Sequence, residues 1–125
     1  MKIKLKEFFA GHTPSAMRKL GSCEDFKNLA TGMRVALEVQ KYLDKSEEVQ
    51  KIYEKKVQPF LSDEKNKDGQ PLIKPEMVEE FLDQQEALFE EEIDFEIGVL
   101  TIEDFEGCKL SPFDILAVKS IGLLE

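Results

Sequence analysis

Tryptophan is absent from this 125-residue sequence, histidine occurs once and cysteine twice. A single His12 leaves no second imidazole for a zinc site, and no Cys pair stands at metal-ligand spacing. Ser-His-Asp or Cys-His catalysis would require His12 as its base, and nothing places a nucleophile beside it in the turn Gly11-His12-Thr13-Pro14. No apolar run approaches the roughly 20 residues that cross a bilayer, which predicts no membrane association. The opening Met1-Lys2-Ile3-Lys4-Leu5-Lys6 alternates charge with apolar side chains, unlike a secretory leader. A cytoplasmic protein is expected, with Cys23 and Cys108 as free thiols in a reducing compartment. A phosphate-cradling glycine loop is also missing, because Gly21 and Ser22 lack the further glycines and the Lys of such a loop.

Basic residues are scarce in one half only. Residues 1–57 carry 12 basic and 8 acidic side chains, whereas residues 58–125 carry 5 and 18, for a net charge of −9. Between Glu76 and Glu106 lie 13 acids and no Lys or Arg. Such a surface repels a phosphate backbone, so no direct nucleic-acid binding is expected for that half. Two readings remain: a solvated acidic face that maintains solubility, or a surface that meets a basic protein partner.

What is present reads as one mostly α domain over residues 1–125, comprising an N-terminal element (1–22), an antiparallel helical hairpin (23–93), and a short β element with a capped C-terminal helix (94–125). Residues 2–10 fit either a strand, through Ile3 and Leu5, or a helix, through Leu5, Phe8 and Phe9. Thr13-Pro14 predicts a short helix that ends at Gly21, and Ser22 with Asp25 predicts the cap of the next. From Glu24 the residues Phe26, Leu29, Met33, Ala36, Leu37 and Leu43 recur at three and four, which predicts a core-facing stripe with Lys27, Arg34, Glu38 and Lys41 in solvent. Pro59 should end this helix near Val57.

Residues 62–70, polar and containing Asp68-Gly69, form the expected connection. Glu64-x-Asn66-x-Asp68-Gly69 approaches the first half of a calcium loop, but Pro71 and Pro75 occupy positions where an aliphatic residue and a bidentate Glu are needed. Pro75 opens a return helix with the stripe Val78, Phe81, Leu82, Leu88, Phe89 and Ile93. Two helices share only one face, so another element or a second copy must cover the rest. Alternation from Phe95 to Ile102 predicts a strand, and Ser111-Pro112-Phe113-Asp114 predicts a well-capped helix start.

Candidate contact residues follow. Glu79, Glu80, Asp83, Glu86, Glu90 and Glu91 step along the return helix, and Phe113 and Leu116 belong to a closing helix that is apolar nearly all round. No catalytic, cofactor-binding or metal-ligating residue is expected. The acid pairs could serve acid-base chemistry only in a pocket, and here they sit on a helix face expected to be exposed.

The Lys-rich start, Ile52-Tyr53-Glu54-Lys55-Lys56, Lys67-Asp68-Gly69, Phe89-Glu90-Glu91-Glu92-Ile93-Asp94-Phe95-Glu96-Ile97 and Leu110-Ser111-Pro112-Phe113-Asp114-Ile115-Leu116-Ala117, taken in order, resemble a group of small acidic proteins encoded by tailed bacteriophages. That group begins with one uninterrupted helix, where this chain has Gly11-His12-Thr13-Pro14 and Gly21-Ser22. The resemblance implies a non-enzymatic phage accessory protein in the cytoplasm of an infected bacterium, acting through a protein partner or as a homo-oligomer. An alternative is an acidic nucleic-acid mimic that inhibits a host nucleic-acid enzyme, as an anti-CRISPR protein inhibits its nuclease.

Overall fold

Alternation at Lys2-Ile3-Lys4 forms a strand, and helical spacing from Leu5 to Phe8 forms a tight turn, so both readings of the N-terminus are realised in succession. In this computed structural model, which describes residues 2–9 and 12–124, β1 (Lys2–Lys4) is followed by a 3-10 turn (Leu5–Phe8) that buries Phe8. The first helix, α1 (His12–Ser22), carries Pro14 in its first turn and ends just past Gly21. Thr13 lies inside the helix, buried, and its hydroxyl donates to Glu7 at 2.6 Å. The predicted cap at Ser22 is not formed. Ser22 instead ends α1 and turns its hydroxyl back to the carbonyls of Arg18 and Lys19.

The long helix α2 (Leu29–Val57) begins later than expected, at Asn28, whose side-chain oxygen accepts the Thr31 N–H at 2.8 Å. Its buried residues are Thr31, Val35, Val39, Tyr42 and Ser46. The predicted core stripe is therefore corrected: Leu29, Met33, Leu37 and Leu43 are exposed. Periodicity identifies a helix, but this helix is apolar on two sides over its first turns, and packing alone selects the side that is buried. Val35, Val39 and Tyr42 face α1 and the Phe8 turn, where Tyr42 stacks on Phe8 at 5.2 Å and donates to the Glu7 carbonyl.

Pro59 ends α2 as expected, in a 3-10 turn (Gln58–Phe60). The polar connection is more ordered than a loop: β2 (Leu61–Lys65) pairs antiparallel with β3 (Pro71–Ile73), and Asn66 closes the turn by accepting the N–H groups of Asp68 and Gln70. The return helix α3 (Val78–Glu90) runs antiparallel to α2, since Tyr53 meets Phe89 and Phe60 meets Phe81. β4 (Glu92–Asp94) then pairs with β1, Ile93 opposite Ile3. The strand expected over Phe95–Ile102 is thus shorter and earlier, and Leu100 makes only an isolated parallel bridge to Leu124.

A 3-10 turn (Ile102–Phe105) opens with a reciprocal cap between Thr101 and Asp104, and α4 (Pro112–Ser120) with another between Ser111 and Asp114. α4 packs on α1, and Val118, Ile121, Leu123 and Leu124 complete the core.

The expectation of free thiols is overturned. Cys23 and Cys108 form a disulfide, with Cα atoms 5.7 Å apart, across a separation of 85 residues. Gly107 makes that approach feasible: its φ of +90° suits glycine, and a Cβ there would strike the Asp25 carbonyl. The pairing is tertiary, so the intervening sequence carries no sign of it.

Candidate interaction surfaces

Helical spacing sets Glu79, Asp83 and Glu86 along one ridge of α3, all exposed, and none makes an ion pair or hydrogen bond among the described residues. Glu80 lies off the ridge and accepts from Gln84 at 3.0 Å. Glu90 is taken up within the fold: Lys4 approaches it at 2.6 Å and Lys6 at 3.6 Å. The Lys4 hydrogen bond, helped by both charges, holds its carboxyl below the ordinary range. Glu91 is exposed, while its carbonyl accepts the Leu5 N–H at 2.8 Å. Of the six acids predicted for contact, only Glu90 meets a cation among the described residues, and Glu79, Asp83 and Glu86 form one uncompensated row.

The capped start of α4 fixes a second surface. Asp114 is buried, accepts the Ser111 N–H at 2.9 Å and pairs with Lys19 at 2.7 Å. Lys19 above all, with the Ser111 N–H, lowers its carboxyl pKa despite burial. With the helix so oriented, Phe113 and Leu116 are each 63% exposed, and the His12 ring stacks on Phe113 at 5.3 Å. These three, with Phe89 and Ala117, line a groove of about 520 Å³.

The third surface was assigned to the core in the sequence. Leu29, Met33 and Leu37, in one i, i+4, i+8 row, are 90%, 60% and 54% exposed. Val99 and Ile102 add further exposed apolar area from the segment beside them. That segment is moored to α2 by Glu38, which accepts the Gly98 N–H at 2.6 Å and Lys41 at 2.9 Å, and by Arg34, 3.7 Å from Asp104. Burial would raise the Glu38 pKa, but the Gly98 N–H and Lys41 outweigh it and hold the carboxyl low. A side chain at position 98 would crowd this carboxylate and force it to shift. Glu38 was expected in solvent, and a lone acid on a helix gives no sequence signal of such a distant partner.

The seam between α2 and α3 is not closed by packing. No residue from Glu47 to Asp94 is fully buried. Two adjoining cavities open along the seam, one of about 260 Å³ walled by Leu5, Phe9, Val49, Ile52 and Ile93, the other of about 180 Å³ walled by Val57, Phe60 and Phe81. Tyr53, Lys56 and Leu88 line both.

Among the described residues no cluster of three His, Cys, Asp or Glu side chains could hold a metal ion, and no helix is long and apolar enough to cross a membrane. No family model, curated protein or solved structure matches this chain.

Proposed function

We propose that this chain is a non-catalytic accessory protein that works by docking onto another protein through the outward face of α2. The observation that carries this reading is the Leu29, Met33 and Leu37 row, apolar and uncovered on the side of the helix away from the core. Isolated exposed apolar side chains are ordinary, whereas a contiguous row on a rigid, capped helix is a surface that gains free energy when a partner covers it. Met33 and Leu37 would serve as central anchors, with Arg34 and Lys41 at the rim. Phe113 and Leu116 offer a second apolar contact of the same character. The sequence resemblance to small acidic phage proteins supports an accessory role in infected bacteria.

The test is a pull-down of tagged protein from infected bacterial lysate, washed at low and then high salt. A partner that survives the high-salt wash and is lost with Met33→Asp plus Leu37→Asp, with helical circular dichroism unchanged, is the expected result. Retention of every partner by that variant overturns the reading.

The free carboxylates of Glu79, Asp83 and Glu86 favour a second reading, a basic partner held electrostatically as a nucleic-acid-handling enzyme holds its substrate. Its signature is recovery only at low salt, with loss on reversing these three acids to Lys.

A further inference from the structure

We infer that the open seam between α2 and α3 is a binding site for a single-chain fatty carboxylate of medium length, its alkyl chain lying in the larger cavity and its carboxylate at Lys56. The apolar part of that lining comes from four segments, Leu5 and Phe9 after β1, Val49 and Ile52 on α2, Leu88 on α3, and Ile93 on β4, with Lys45, Glu48, Tyr53 and Lys56 at its margins. With its 180 Å³ neighbour, the 260 Å³ cavity reaches the lower part of the range of about 300–1,000 Å³ seen for small-molecule sites. An apolar cavity of this kind gains by admitting an alkyl chain and gains nothing from water.

The polar groups decide the head of the ligand. Lys56 stands where the two cavities meet and has no hydrogen bond or ion pair among the described residues. Beside it in both linings, the Tyr53 hydroxyl accepts from Gln85 at 2.8 Å, so its own hydrogen is free to donate. Ammonium and hydroxyl together suit a carboxylate. Glu48, the one acid among the described residues lining this cavity, is paired with Lys45 at 3.5 Å. From Lys56 back to Lys45 the helix rises about 16 Å, enough to lay an extended medium-length chain along it. The carboxylate would remain near solvent, where Lys56 is exposed, so binding requires no burial of an unpaired charge.

Titration calorimetry on the whole protein tests this site, with decanoate below its micellar concentration as the probe and decyltrimethylammonium and anionic phospholipid vesicles as comparators. Saturable one-to-one decanoate binding is expected, weakened at least tenfold by Lys56→Glu, abolished by Leu88→Trp, which fills the waist of the seam, and unchanged by Met33→Asp. Because Lys56 is a surface side chain with no ion pair to lose among the described residues, Lys56→Glu reports on the site even if Leu88→Trp disturbs the fold. Equal affinity for the cationic amphiphile, decanoate binding indifferent to Lys56→Glu, binding of the vesicles alone, or no saturation would each overturn the assignment. The docking reading stands or falls separately, on Met33 and Leu37.

Discussion

The body built from α1, α4 and the first half of α2 differs sharply from the arm formed by the second half of α2, the β2–β3 hairpin and α3. Among the described residues, every fully buried hydrophobic one belongs either to the segment from Ile3 to Tyr42 or to that from Phe95 to Leu124. The arm contributes none, and is joined through ring contacts of Phe9 with Tyr53 and Phe89 at 5.0 and 5.1 Å, the β1–β4 pairing, and the Lys4 and Lys6 pairs with Glu90. Stability is thus concentrated at one end, where caps, core and disulfide coincide. Accessible apolar surface occurs at both ends, as the outward row of α2 on the body and as the open seam in the arm, where little of it is consumed in folding.

The comparison would be broken most decisively by finding the core insensitive. Phe8 is fully buried between Tyr42 and Phe95, so Phe8→Ala should cost about 3–5 kcal/mol, a large share of the stability of a domain this size. Denaturant unfolding measures it, and a loss under about 1 kcal/mol would mean that the body is not the stable half. The disulfide comes next. Cys108→Ser should remove about 4 kcal/mol through restored loop entropy in the unfolded chain, read as a lower melting temperature that reductant reproduces in the native protein and does not alter in the variant.

Asp114 sharpens the same contrast at a smaller scale. Asp114→Ala strips the reciprocal cap, orphans the Ser111 N–H and frees Lys19, at a cost of about 2 kcal/mol. Its carboxyl is held low in the fold, so its contribution is complete above the unfolded Asp pKa of about 3.9 and disappears as pH falls through the lower folded value. The gap between native protein and variant, followed by thermal melts, should therefore narrow on acidification below about pH 4.

These two ends were also unequally legible in the sequence. The α4 start was readable because Ser111, Pro112 and Asp114 act within one turn, and the α2 stop because Pro59 acts on its own backbone. Thr101 and Asp104 carry the same short-range signal, yet they fell within a segment whose alternation favoured a strand. The buried face of α2 was hidden for another reason. Leu29, Met33 and Leu37 are more apolar than Thr31, Val35 and Val39, and only the partners, α1 and the Phe8 turn, reveal which side they cover. The seam was least visible of all, because Val49, Ile52, Phe81 and Leu88 carry the pattern of a packed hairpin whether or not the helices close.

The smallest effect sharpens the comparison from the arm. Phe81 meets Phe60 at 5.4 Å and remains half-buried, so its truncation removes one tilted ring contact and enlarges a cavity that is already open. Phe81→Ala should cost about 1 kcal/mol or less, well below the loss at Phe8, because neighbours that already leave space lose little when more appears. Native-state hydrogen exchange distinguishes local from global consequences. Amides of α3 should exchange faster in the variant while those of α1 and α4 keep their protection, since the fully buried hydrophobic side chains among the described residues all belong to the body. Equal acceleration throughout would show that arm and body unfold as one unit, and the division drawn from burial would then describe packing density without describing stability.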